Sequence, residues 1–172
     1  MPIPYHRIPH TTAAPLAAYL LVTVGRSAKE LLAGLLVIDG RGQPVEFVHN
    51  SIEVPSGLLW PEPGVEAAGS AALAHSLFEA CRAEPDLLVV EEGLGTPQYV
   101  RTNVAPLIPT CVVSPPESSG VNEFAWVNDA PSQGAPATLL LRELVERGFL
   151  REPFERVRRA LAETYGTAQP ET

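Results

Sequence analysis

The pattern of apolar and polar residues predicts three strands in the first third of the chain. Residues 17–25, AAYLLVTVG, are mainly apolar and β-branched, which is typical of a strand. The stretch LLAGLLVIDGRGQPVEFVHNSIEV, residues 31–54, continues as two strands joined by a tight turn. Asp39, Gly40 and Gly42 indicate this turn, because they supply the backbone freedom that it needs.

The third predicted strand has apolar and polar residues in alternation. Val45 and Phe47 would lie on one face, and Glu46 and Val48 on the other. Such alternation is typical of a strand with one half-exposed face. We therefore expect the third strand at an edge of the sheet.

A long helix and a buried strand follow. The helix is predicted over Val65–Glu84, because apolar side chains recur there at helical spacing, and Pro85 forbids its continuation. The members of this apolar stripe are Leu73, Leu77, Phe78 and Cys81. DLLVV, residues 86–90, is a continuous apolar run, which indicates a strand buried on both faces. Glu91 and Glu92 stand at its carboxyl end.

The remaining chain predicts one more strand and two terminal helices. LIPTCVV, residues 107–113, reads as a buried strand, and residues 114–136 as a long loop. Helices are expected over 137–147 and 153–165, together forming a C-terminal helical section 137–166. With a proline-rich arm over 1–15, the 172 residues are predicted to form one α/β domain. Its sheet would be mixed, an antiparallel meander followed by α/β units, as in the ribonuclease-H-like fold.

Composition and charge narrow the classes of function. The net charge is −8, and residues 1–135 hold 6 basic and 14 acidic side chains. Duplex nucleic acid is therefore not an expected partner, since its phosphates require a basic surface. No run reaches the roughly 20 apolar residues that span a bilayer. We expect a cytoplasmic protein without a membrane partner, and we expect Cys81 and Cys111 to be buried, inert thiols.

Two motifs between residues 53 and 93 resemble endonuclease V. EVPSGLLWPE, residues 53–62, is similar to the turn of that family, Tyr-hydrophobic-Pro-Gly-Leu-Leu followed by a glutamate, so Glu62 would match the glutamate. PDLLVVEEG, residues 85–93, is similar to its strand Pro-Asp-Leu-Leu-Leu-Val-Asp-Gly, so Glu91 would match its metal-binding aspartate. The resemblance implies a ribonuclease-H-like fold and a divalent-metal nuclease site.

Departures from the family pattern predict that this nuclease site has decayed. The family binds its catalytic magnesium through an aspartate on the first strand, but AYLLVTVGR contains no acidic residue, and the first aspartate of the chain is Asp39. The histidine expected soon after the strand-end aspartate is absent from EEGLGTPQYV. Magnesium requires near-octahedral oxygen ligands held on rigid elements, so each lost carboxylate weakens its binding.

Two functions from different classes follow. The first is a non-catalytic protein–protein interaction domain without a cofactor, acting with a protein partner or as a homo-oligomer. Its contacts would come from the loop aromatics Trp60, Phe124 and Trp126, because large aromatics anchor many interfaces. The alternative is an endonuclease or phosphodiesterase that uses Mg²⁺ or Mn²⁺. Its catalytic residues would be Glu62 and Glu91, and its metal ligands would be Asp39, Glu91 and Glu92.

Overall fold

The structure, a computed structural model, describes residues 14–27, 29–54, 62–93, 97–114 and 123–166. Side chains 62–65 lie outside this description. The predicted N-terminal arm falls almost entirely outside it, and so does Trp60.

Within these described ranges, six strands form one mixed sheet. The strands are β1 Leu16–Val24, β2 Glu30–Asp39, β3 Pro44–Glu53, β4 Leu87–Glu91, β5 Thr110–Val113 and β6 Phe124–Trp126. Their order across the sheet is β3-β2-β1-β4-β5-β6. The meander β1–β2–β3 is antiparallel, β4 and β5 run parallel to β1, and β6 returns antiparallel to β5. The predicted α/β fold with a mixed sheet is confirmed.

Helices cover both faces of this sheet. They are α1 Glu62–Ala80, the short α2 Pro97–Tyr99, α3 Pro136–Glu146 and α4 Glu152–Tyr165, and a π-helical turn over Val100–Val104 follows α2. One core joins the sheet to α3 and α4, and a second core joins it to α1 and the π-helical turn. Strands between two such layers are buried on both faces, which explains why β1, β2 and β4 are almost wholly apolar. Within the described residues, no helix is long and apolar enough to cross a membrane.

Three predicted elements differ from the observed ones. The strand predicted over residues 107–113 begins only at Thr110, and Leu107 is exposed. The segment 114–136 is not a continuous loop, because Phe124–Trp126 form β6 beside β5. Three residues with alternating side chains are too short a run to be recognised as a strand without their partner. Helix α1 ends at Ala80 and not at Glu84, because Glu46 on β3 accepts hydrogen bonds from the backbone N–H groups of Arg82 and Ala83.

The predicted turn between β2 and β3 is present. Gly42 adopts φ 77°, a left-handed conformation that favours glycine. The Asp39 carboxylate accepts hydrogen bonds from the backbone N–H groups of Arg41 and Gln43, each at 2.9 Å. Asp39 therefore stabilises the turn.

Candidate functional site

The carboxyl ends of β1 and β4 form the edge of the sheet where ligands of open α/β folds gather. Leu20 of β1 lies beside Val90 of β4, so Glu91 stands at the end of the paired region. The β1 residues at this level are leucine and valine, with no carboxylate among the nine residues of the strand. Glu91 is thus the strand-end acid at the position that the sequence predicts.

An arginine of α4, Arg158, forms an ion pair with the Glu91 carboxylate. Arg158 Nη2 donates to Glu91 Oε2, and Arg158 Nη1 lies 2.7 Å from Glu155 Oε1. The Glu91 side chain is 17% exposed, and that of Arg158 is 39% exposed. A half-buried pair of opposite charges is screened less by water than an exposed one, so the arginine neutralises this carboxylate at short range.

The other predicted metal ligands do not join Glu91. Asp39 lies opposite Leu16, at the amino end of β1, so about five residues of strand, or roughly 15 Å, separate it from the level of Glu91. Glu92 is exposed, and its N–H donates to Val113 O at 3.0 Å. Glu62 begins α1, but its side chain lies outside the described residues. Among the side chains that the structure describes, no three histidines, cysteines or acids come together as a metal site.

The predicted contact aromatics lie on an edge strand and not in a free loop. Phe124 and Trp126 are both half-buried and pack against the core formed with α3 and α4. The exposed side chain of this strand is Ala125, on the opposite face. Trp60 is the third predicted contact and lies outside the described residues.

Cys111 is buried as predicted, whereas Cys81 is only half-buried. Both are free thiols. Burial raises the pKa of Cys111 to about 12 and is also the main reason that the pKa of Cys81 rises to about 12, with the Glu46 carboxylate adding to it. Such raised pKa values disfavour the thiolate, the form in which a cysteine acts as a nucleophile, at neutral pH.

The end of α4 is attached to β3 by a contact between a histidine and a tyrosine. The sequence did not indicate this contact. His49 on β3 is buried, and its Nδ1 lies 2.8 Å from the hydroxyl oxygen of Tyr165. The two rings also meet edge to face, with centroids 5.5 Å apart. Since 116 positions separate the two residues, no local pattern could have paired them.

We expect acid to weaken the fold through His49. Burial lowers the pKa of His49 below its usual value, so the unfolded chain takes up a proton near pH 6.5 that the folded chain does not. The free energy of unfolding should therefore fall between about pH 7.5 and about pH 5.5, and the fall should be smaller in His49→Gln. Urea unfolding at both pH values measures this difference. The exposed His75→Gln serves as control, and an equal fall in all three proteins would contradict the expectation.

The sequence matches no protein-family model, and no curated protein sequence matches it significantly. Among solved structures, an Endonuclease V from Streptomyces avermitilis superposes with a TM-score of 0.57 at 18% identity, covering 88% of this chain and 83% of that one. A second, from Bacillus subtilis, gives a TM-score of 0.38 at 17% identity, covering 63% of this chain and 46% of that one. The first match extends the resemblance from residues 53–93 to most of the chain. In fold, this chain is similar to endonuclease V, with a ribonuclease-H-like mixed sheet.

Proposed function

We propose that this chain is a non-catalytic protein–protein interaction domain on an endonuclease-V-like fold, acting in a homo-oligomer or a multicomponent assembly. The observation that carries the proposal is the ion pair between Arg158 and Glu91. The positive charge of Arg158 neutralises the Glu91 carboxylate, which would otherwise be the metal ligand at the end of β4.

The surroundings of Glu91 favour the arginine over a metal ion. Mg²⁺ requires close to six oxygen ligands, and to reach Glu91 it would have to displace the Arg158 guanidinium. The neighbouring strand offers Leu20 and Leu21 at this level, and neither can contribute an oxygen from its side chain. Losing this ion pair would also leave the Arg158 guanidinium with the exposed Glu155 carboxylate as its remaining partner, which is less favourable.

The edge strand β6 supports a role in binding a partner. The bonds from Ser114 N to Glu123 O and from Val127 N to Thr110 O place residues 123, 125 and 127 in hydrogen-bonded pairs with β5. The backbone N–H and C=O groups of Phe124 and Trp126 therefore point away from β5, toward the outer edge of the sheet. An outer edge of this kind accepts a strand from another chain.

A metal-dependent endonuclease or phosphodiesterase is the second candidate, and the fold similarity to the Streptomyces enzyme favours it. It would use Glu62, Glu91 and Glu92 with Mg²⁺ or Mn²⁺, without Asp39. In this function the ion would polarise the phosphodiester and activate water.

Metal titration separates the two functions. We expect isothermal calorimetry to detect no micromolar binding of Mg²⁺ or Mn²⁺, and single-stranded, duplex and inosine-containing DNA to remain uncleaved. Micromolar binding that Glu91→Gln abolishes would overturn the proposal. Arg158→Gln frees the carboxylate and should raise metal affinity if the guanidinium competes with the ion, whereas Arg159→Gln, exposed on the same helix, should not change it.

Sedimentation tests the interaction role directly. We expect the chain to associate, either with itself or with the products of neighbouring genes. The variant Ala125→Lys should weaken that association at least about tenfold, because it places a charge on the β6 edge without touching the core. Ala72→Lys, exposed on α1, is the matched control. A chain that sediments as a monomer, both alone and in each mixture with those gene products, would count against the proposal.

A further inference from the structure

The outer edge of β6 is self-complementary for antiparallel pairing. The hydrogen-bonded pairs with β5 involve residues 123, 125 and 127, so the N–H and C=O groups that point outward belong to Phe124 and Trp126. These two residues lie symmetrically on either side of Ala125, which is exposed. An antiparallel copy of the same strand therefore places a donor opposite every acceptor along this edge.

We infer that β6 pairs with β6 of a second copy of this chain, antiparallel and about a twofold axis through Ala125. This inference rests on the proposed interaction role and names its partner. Phe124 of each copy lies opposite Trp126 of the other, and each outward N–H group donates to the C=O group of the residue opposite. The two sheets then continue as one across the axis.

The side chains of β6 fit this register. Phe124 and Trp126 are half-buried against the core formed with α3 and α4, so each has surface left to cover. Aromatic residues that lie opposite each other on neighbouring strands stabilise the pairing. Ala125 opposes itself in a non-hydrogen-bonded pair, where the Cα atoms are about 4.5 Å apart and a methyl group causes no clash. Glu123 lies opposite Val127, so no two like charges meet directly.

Strand β3, at the other edge of the sheet, is less suited to such a contact. It begins at Pro44, which has no N–H group. Val54 N bonds to Lys29 O, so the outward residues of β3 include Ser51. The Ser51 N–H group already donates to Asn50 Oδ1 at 2.9 Å. Contacts between β6 of one copy and β3 of the next would also extend into a filament, whereas pairing of β6 with itself closes at a dimer.

Register-specific disulfide cross-linking tests this dimer. It suits a strand as short as β6, because small interfaces form weak, transient contacts and a covalent bond traps them. With copper phenanthroline as the oxidant, we expect Ala125→Cys to give a disulfide-linked dimer, since the paired Cα atoms lie within the roughly 4.4–6.8 Å that a disulfide spans. Wild type, whose cysteines are Cys81 and Cys111, measures the background and should remain monomeric on a non-reducing gel.

Two further variants define the register. Glu123→Cys and Val127→Cys should each fail to link alone but should link when the two proteins are mixed, because residue 123 of one copy lies opposite residue 127 of the other. Glu123 is exposed and Val127 is half-buried, so both variants should retain the fold, which circular dichroism verifies.

An Ala125→Cys protein that links no more than wild type would overturn the inference, and so would a Glu123→Cys protein that links with itself. Either result, together with a complex in sedimentation that Ala125→Lys weakens, would leave the proposed interaction role intact and assign the β6 edge to a different protein. If neither cross-linking nor sedimentation detects an association, the inference and the proposed function both fail. The two can therefore fail separately.

Discussion

Glu46→Ala should lower the free energy of unfolding by roughly 3 kcal/mol, since hydrogen bonds to a charged group contribute about 1.5–3 kcal/mol each. The Glu46 side chain is buried, with 3% of the residue exposed. It accepts hydrogen bonds from the N–H of Arg82 at 3.0 Å and from that of Ala83 at 2.6 Å, and the Cys81 thiol approaches at 3.5 Å. Alanine would leave both N–H groups without this acceptor and would release the end of α1 from β3.

Urea unfolding measures the effect, and two further variants sharpen it. Glu46→Gln should lose less of the free energy of unfolding than Glu46→Ala, because its amide oxygen still accepts one hydrogen bond. Some loss remains, because the NH₂ group of glutamine would face the second backbone donor. Glu79→Ala, exposed on α1, should change stability by less than about 0.5 kcal/mol. A Glu46→Ala protein as stable as wild type would show that these bonds do not hold α1 in place.

Gly34→Ala should destabilise the protein by roughly 2 kcal/mol, within the range that overpacking a core costs. Gly34 lies in the middle of β2, where α4 approaches the sheet closely. A Cβ atom at this position would lie 2.6 Å from Val157 Cγ1 and 3.1 Å from Phe47 Cε2. Both neighbours belong to the packed core, so helix α4 would have to move away from the strand.

A double variant isolates the cause of that loss. Val157→Ala removes the nearest atom, so Gly34→Ala should cost less in the Val157→Ala background than in wild type. Gly134→Ala is the control, because a Cβ there would meet nothing within 4 Å. Equal costs in both backgrounds would mean that the contact with Val157 is not responsible.

Local pattern was sufficient for much of the fold. The apolar runs of β1, β2 and β4 indicate buried strands, since a strand covered on both faces exposes no polar side chain. Leu73 and Leu77, predicted on the buried stripe of α1, are fully buried. The bounds of α3 and α4 follow closely from the prolines and glycines beside them. The motifs of residues 53–93 also indicated the endonuclease V fold, a similarity that the superposition extends to most of the chain.

The candidate site was predictable only in part. Glu91 follows a recognisable strand, but its partner Arg158 is 67 positions away on α4, and no sequence motif links the two residues. Glu46 is a similar case, because strand alternation places it opposite Phe47 without showing that α1 would cover that face. Edge strand β6 becomes recognisable only beside β5.

By itself, the sequence determined most of the strands and helices, though not β6 or α2, and it determined that the first strand carries no acid, because both follow from the order of residue types. Tertiary structure decided which charges meet. Asp39 and Glu91 lie at opposite ends of the sheet, because β2 runs antiparallel to β1 whereas β4 runs parallel to it. Tertiary structure also brought Arg158 onto Glu91, because the packing of α4 sets that distance and no spacing along the chain encodes it.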